Sequence, residues 1–129
     1  IMDNILGDYN VDINSISKNL WMNNRDLETL NSNDQIIGLH SFTHPTNMAQ
    51  LDFNTQHQEY IQNKEHIVSV TSKETIAVSH PCGSYDNSTL EILNQLGVQI
   101  GVRSNFHKLN HNPLEFPRVD HSDILLALN

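Results

Sequence analysis

The sequence predicts an α/β domain built on a parallel sheet with alternating helices, and three observations carry that prediction. Short apolar blocks without polar alternation fall at residues 35–39, 75–78 and 98–102, as expected of strands covered on both faces. Segments with helical apolar spacing separate each block from the next. Parallel neighbours need a crossover, which a helix supplies.

Residues 1–14 are polar and irregular, and the whole chain of 129 residues is the length of a single domain. Ser15 is placed to cap a first helix in which Ile16, Leu20, Leu27 and Leu30 form one apolar face. The polar run 31–34 ends it, and the first strand leads to His40. A second helix begins near Thr55, with Tyr60, Ile61, Lys64, Ile67 and Val68 in helical register. Ser88 and Glu91 match a capping box ahead of Leu90, Leu93 and Leu96, with Gly97 where a left-handed cap belongs. After the third strand, residues 104–116 form a polar loop, Val119 opens a fourth brief strand, and Ser122 caps a last helix. Trp21, beside Leu20, is assigned to the core.

Composition narrows the function. Seven Lys and Arg against fifteen Asp and Glu give a net charge of -8, which repels phosphate backbones and anionic lipid, so nucleic acid is excluded as a partner. No run approaches the roughly 20 apolar residues of a membrane helix, so no membrane insertion is expected. The single cysteine, Cys82, cannot close an internal disulfide. The first residues lack a basic start followed by an apolar stretch, which leaves no signal peptide in this chain and favours the cytoplasm.

In open parallel sheets, ligands bind beyond the carboxyl ends of the strands. The residues there are His40 to Pro45, Ser79 to Tyr85, Arg103 with Ser104, and Arg118 to His121. His40-Ser41-Phe42-Thr43-His44-Pro45 is the sharpest chemical signal, because two imidazoles four residues apart can both reach one divalent cation at about 2.0–2.1 Å. With eight His in 129 residues, chance supplies roughly 0.5 pairs at that spacing. Context separates this pair from His107 and His111, since it starts at a strand end and Pro45 disfavours helix at His44. Cys82 reads either as a soft ligand or as a small packing residue, the second by base rate. Arg118 has the chemistry to hold a substrate oxygen or a carboxylate.

These residues resemble the polysaccharide deacetylases with a NodB-type domain. The second motif of that family, H-[S/T]-x-x-H-P, matches at every fixed position from His40 to Pro45. Its third, often Y-P-Y-G-S-Y, is similar to His80-Pro81-Cys82-Gly83-Ser84-Tyr85, and a Pro-Arg-hydrophobic-Asp segment resembles Pro117-Arg118-Val119-Asp120. The ordered match spans roughly residues 16–121, the middle and C-terminal part of such a domain. The resemblance implies an incomplete or distorted (β/α) barrel and hydrolysis of an N-acetyl group on a glycan. It also implies a divalent metal, zinc by chemistry, on His40 and His44, with substrate against Pro81, Cys82, Gly83 and Arg118. The family's paired aspartates have no counterpart, for this sequence holds no Asp-Asp pair. Asp120, Asp8 and Asp12 are the candidate replacements for catalysis. A non-catalytic glycan- or metal-binding module, or a half-domain completed as a homo-oligomer, are the alternatives.

Overall fold

The computed structural model describes residues 12–106, 111–119, 121, 124 and 125. Helix α1 (Ile13–Leu20) and α2 (Asn24–Ser32) precede a 3-10 turn at Met48–Gln50 and the long α3 (Phe53–Thr71). Strand β1 (Ala77–Ser79), a second 3-10 turn at Pro81–Gly83, α4 (Asn87–Gln95) and β2 (Ile100–Val102) follow.

Each helix starts on an acidic or amide side chain that satisfies otherwise orphaned N–H groups. Asp12, not Ser15, caps α1 by accepting from the Asn14 N–H at 3.0 Å. The single first helix expected from the leucine spacing is two, because Asn23 and Asp26 form a reciprocal capping box that restarts the chain. Trp21 sits in the break and is 77% exposed, so its assignment to the core is corrected. Asp52 caps α3. Asp86 and Thr89 form the capping box of α4, two residues ahead of the Ser88 start expected from sequence. Gly97 follows with φ +80°, as its place after Leu96 predicts.

The sheet is parallel throughout. Ala77, Val78 and Ser79 pair with Ile100, Gly101 and Val102. Single parallel bridges add Leu39 beside Val78 and Phe116 beside Val102. The order across the sheet is therefore the order along the chain, the progression of a barrel wall. The expected strand 35–39 contracts to the Leu39 bridge, and the fourth partner is Phe116, three residues before the expected Val119. Ser122 lies outside the described residues.

Leu39 and Val78 pack with Ile67 of α3 and Ile92 and Leu93 of α4 in one core. By the two-residue alternation of strands, His40, Ser79, Val102 and Phe116 face the other way. That second face is open: Ile100 is 43% and Phe116 44% exposed. Burial on both faces, expected from the unbroken apolar runs, holds only for the helix side. Buried polar groups tie the helices together, with Gln56 donating to the Leu51 carbonyl at 2.9 Å and accepting from the Thr89 hydroxyl. No described helix is long and apolar enough to cross a membrane.

Candidate metal centre

His40 leaves the first strand position at the carboxyl end of the sheet, on the open face. Its Nδ1 lies 2.7 Å from the Ser79 carbonyl oxygen of β1. A carbonyl can only accept, so Nδ1 carries the proton and donates, leaving the Nε2 lone pair for a ligand. This arrangement orients metal-ligating imidazoles. The His44 ring lies 4.8 Å away, centroid to centroid, with the planes at 59°. Both rings are exposed.

The loop between them is tightly specified. Ser41 and His44 have left-handed backbone, φ 63° and 58°. The Ser41 hydroxyl accepts from the His44 N–H at 3.1 Å. Glu59 of α3 accepts at one carboxylate oxygen from the N–H groups of Phe42 and Thr43, at 2.9 and 2.8 Å, and at the other from the Thr43 hydroxyl at 2.6 Å. One turn along α3, Asn63 accepts from the His40 N–H at 2.9 Å. The motif supplies the rings, and a helix at least fifteen residues downstream sets the loop. Glu59 and Asn63 do not stand out in sequence, because they lie off the apolar face of that helix and their signal is a four-residue spacing alone.

Beside β1, Pro81–Gly83 makes the 3-10 turn, with Cys82 at φ 51° and Gly83 at φ 66°. A side chain on Gly83 would collide with the Ser104 hydroxyl, so the turn seats directly on the segment just past β2. Pro81 is buried. Cys82 is exposed, which corrects its expected role as a packing residue.

A buried polar cluster lies under this turn and was not foreseen. His80, 1% exposed, donates from Nε2 to the Leu114 carbonyl at 2.8 Å and stacks on Tyr85 at 4.2 Å. The Tyr85 hydroxyl donates to Glu115 at 2.8 Å. Arg103, 7% exposed, follows β2, and its Nε and Nη2 are buried without a hydrogen-bond partner. Burial holds the His80 imidazole below 6.5 against the opposing pull of Leu114 and Glu115, with His40 adding to the depression. Burial and Glu115 push the Tyr85 phenol up.

The sequence profile of the polysaccharide deacetylase family matches residues 6–101, well over half of the 129. The chain belongs to the polysaccharide deacetylase family. Solved structures with the same fold include a Streptococcus pyogenes deacetylase, PplD, in complex with acetate. It is 20% identical, with a TM-score of 0.69, over 84% of this chain and 51% of that one. The BpsB deacetylase domain from Bordetella bronchiseptica is 12% identical, with a TM-score of 0.64, over 78% of this chain and 51% of that one. BA3943 from Bacillus anthracis, a CE4 family pseudoenzyme, is 18% identical, with a TM-score of 0.56, over 74% of this chain and 34% of that one. The chain thus spans about half, or less, of the structures it matches. No curated protein matches its sequence.

Within this deacetylase-family fold the remaining candidates are dispersed. Arg118 is exposed, two residues past the Phe116 bridge. Asp12 is engaged as the cap of α1. Asp8, Asp120 and His107 lie outside the described residues, and His111 is exposed. Among the described residues no three His, Cys, Asp or Glu side chains gather as a metal site. The donor set is the imidazole pair of His40 and His44, which suits a first-row divalent cation with further ligands supplied from elsewhere.

Proposed function

We propose that this chain carries the histidine arm of a metal-dependent carbohydrate de-N-acetylase site, with His40 and His44 holding a divalent cation, zinc by chemistry. The observation that carries the reading is the 2.7 Å hydrogen bond from His40 Nδ1 to the Ser79 carbonyl, which frees Nε2 beside the His44 ring. A cation held there supplies Lewis acidity toward an amide carbonyl and lowers the pKa of water. The chain's own residues do the rest: Ser79 fixes the tautomer of His40, Ser41 and Glu59 fix the loop, and the Pro81–Gly83 turn forms the adjoining wall. Pro81, Cys82, Gly83 and Arg118 are the proposed contacts for an N-acetylated glycan.

Hydrolysis also needs a general base. Asp8, Asp12 and Asp120 remain the proposed candidates, and a carboxylate from outside this chain fills the same role. The absence of a three-ligand group among the described residues favours a second reading, a glycan- or metal-binding module without turnover. The open sheet face gives self-association as a further arrangement, read by sedimentation over a concentration series. Acetate release from an N-acetylated oligosaccharide, with and without zinc, separates activity from binding. This chain alone is predicted to turn over slowly or below detection, while the oligosaccharide shifts the amide resonances of the 40–44 and 81–83 loops. Turnover rivalling a complete deacetylase would reveal a base already present. Unmoved resonances in both loops would contradict the substrate assignment.

A further inference from the structure

We propose that Glu59 is a positioning residue for the histidine pair, acting through the backbone between the two rings and not as a ligand itself. The inference rests on the reading of His40 and His44 as cation ligands. Glu59 joins no three-ligand group among the described residues, and both of its carboxylate oxygens are committed to the loop.

Left-handed backbone is strained at a residue other than glycine, and it persists only where the surroundings over-determine it. Ser41 and His44 both hold it. The residues between them, Phe42 and Thr43, turn consecutive N–H groups toward a single Glu59 oxygen, and a carboxylate accepts both in charge-assisted bonds while keeping its other oxygen free to accept as well, which an amide with one oxygen cannot do. The Thr43 hydroxyl adds a third donor at the other oxygen. Asn63, four residues on and therefore on the same face of α3, takes the His40 N–H. The helix grips the loop at its start and its middle, and Ser41 closes its end on His44. Without the carboxylate, two N–H groups lose their acceptor and the strained turn loses what enforces it. The chain then relaxes toward extended backbone, and the rings separate from 4.8 Å.

The prediction is that Glu59→Ala and Glu59→Gln weaken zinc binding about 10- to 100-fold, the usual penalty for losing a group that orients a ligand. In zinc-free protein both variants speed hydrogen exchange at the Phe42 and Thr43 amides. Asp52→Ala, which removes the cap of the same helix, serves as the control for simple destabilisation. It lowers stability and leaves zinc affinity within twofold of wild type. The proposal is overturned if Glu59→Ala binds zinc as tightly as wild type, or if Asp52→Ala weakens binding as much. Amides that stay protected in the Glu59 variants overturn the latch alone. Wild-type protein that binds no zinc while those amides are protected overturns the metal reading beneath it, and the proposal with it.

Discussion

Ser41 and His44 show how the site separates into a legible and an illegible part. The pair His40 and His44 stands out in sequence because ring type, spacing, strand end and proline coincide. Glu59 does not, because its role rests on contacts 16 and 17 residues distant that only the fold creates. Trp21 and Cys82 were misplaced for a related reason. Base rates put an indole and a lone thiol inside, whereas these two fall at a helix break and at the apex of a turn. His80 gives a prediction at this scale. Its folded pKa lies below the unfolded value near 6.5, so between those two values the unfolded state binds more protons. Stability from this group is therefore full above pH 6.5 and is lost as pH falls through the window, with a slope of at most about 1.4 kcal/mol per pH unit. Asp52, lowered from 3.8 by its hydrogen bonds to Thr55, and Asp86, where burial pushes up but the bonds from Thr89, Gln56 and Ser88 together pull further down, act at lower pH. Proton NMR titration of His80 should give a midpoint below 6.5; one at or above it would show that the ring is not desolvated.

Helices were located well and bounded poorly. The leucine spacing from Leu20 to Leu27 to Leu30 runs unbroken through residues 21–23, so periodicity alone predicted one helix where the Asn23 cap makes two. Ser88 and Asp86 are both good caps two residues apart, and the tertiary bond from Gln56 to Asp86 at 3.3 Å accompanies the choice of Asp86. That bond motivates a second test. Asp86→Ala removes the α4 cap and an acceptor for a fully buried glutamine, and should cost about 1–2 kcal/mol in urea unfolding. A change under about 0.3 kcal/mol would mean that Ser88 takes over the cap. The strands are shorter than their apolar runs because such a run marks where a strand can form, while a ladder needs a neighbour whose N–H and C=O groups lie in register. In the first segment the bridge to β1 is made by Leu39 with Val78, and Ile36 is 73% exposed.

At the scale of the molecule, parallel pairing follows from the alternation of blocks, and the family from three ordered motifs, His40 to Pro45, His80 to Tyr85 and Pro117 to Asp120. What composition concealed is the open face. Apolar residues on both sides of a strand predict two covering layers, yet among the described residues the covering layer is α3 and α4 on one side. The uncovered side carries Ile100, Phe116 and, at its rim, His40. In a barrel that side faces the lumen, where strands also carry apolar side chains, so an apolar run does not by itself show that a second layer of helices covers it. The reading of the site depends on two imidazoles sharing one cation at that rim. Zinc bound per chain, measured on wild type, His40→Ala and His44→Ala after exhaustive dialysis, tests it most directly. The account predicts about one zinc per wild-type chain and a marked loss in each variant; equal zinc in all three proteins, or none in wild type, would contradict it.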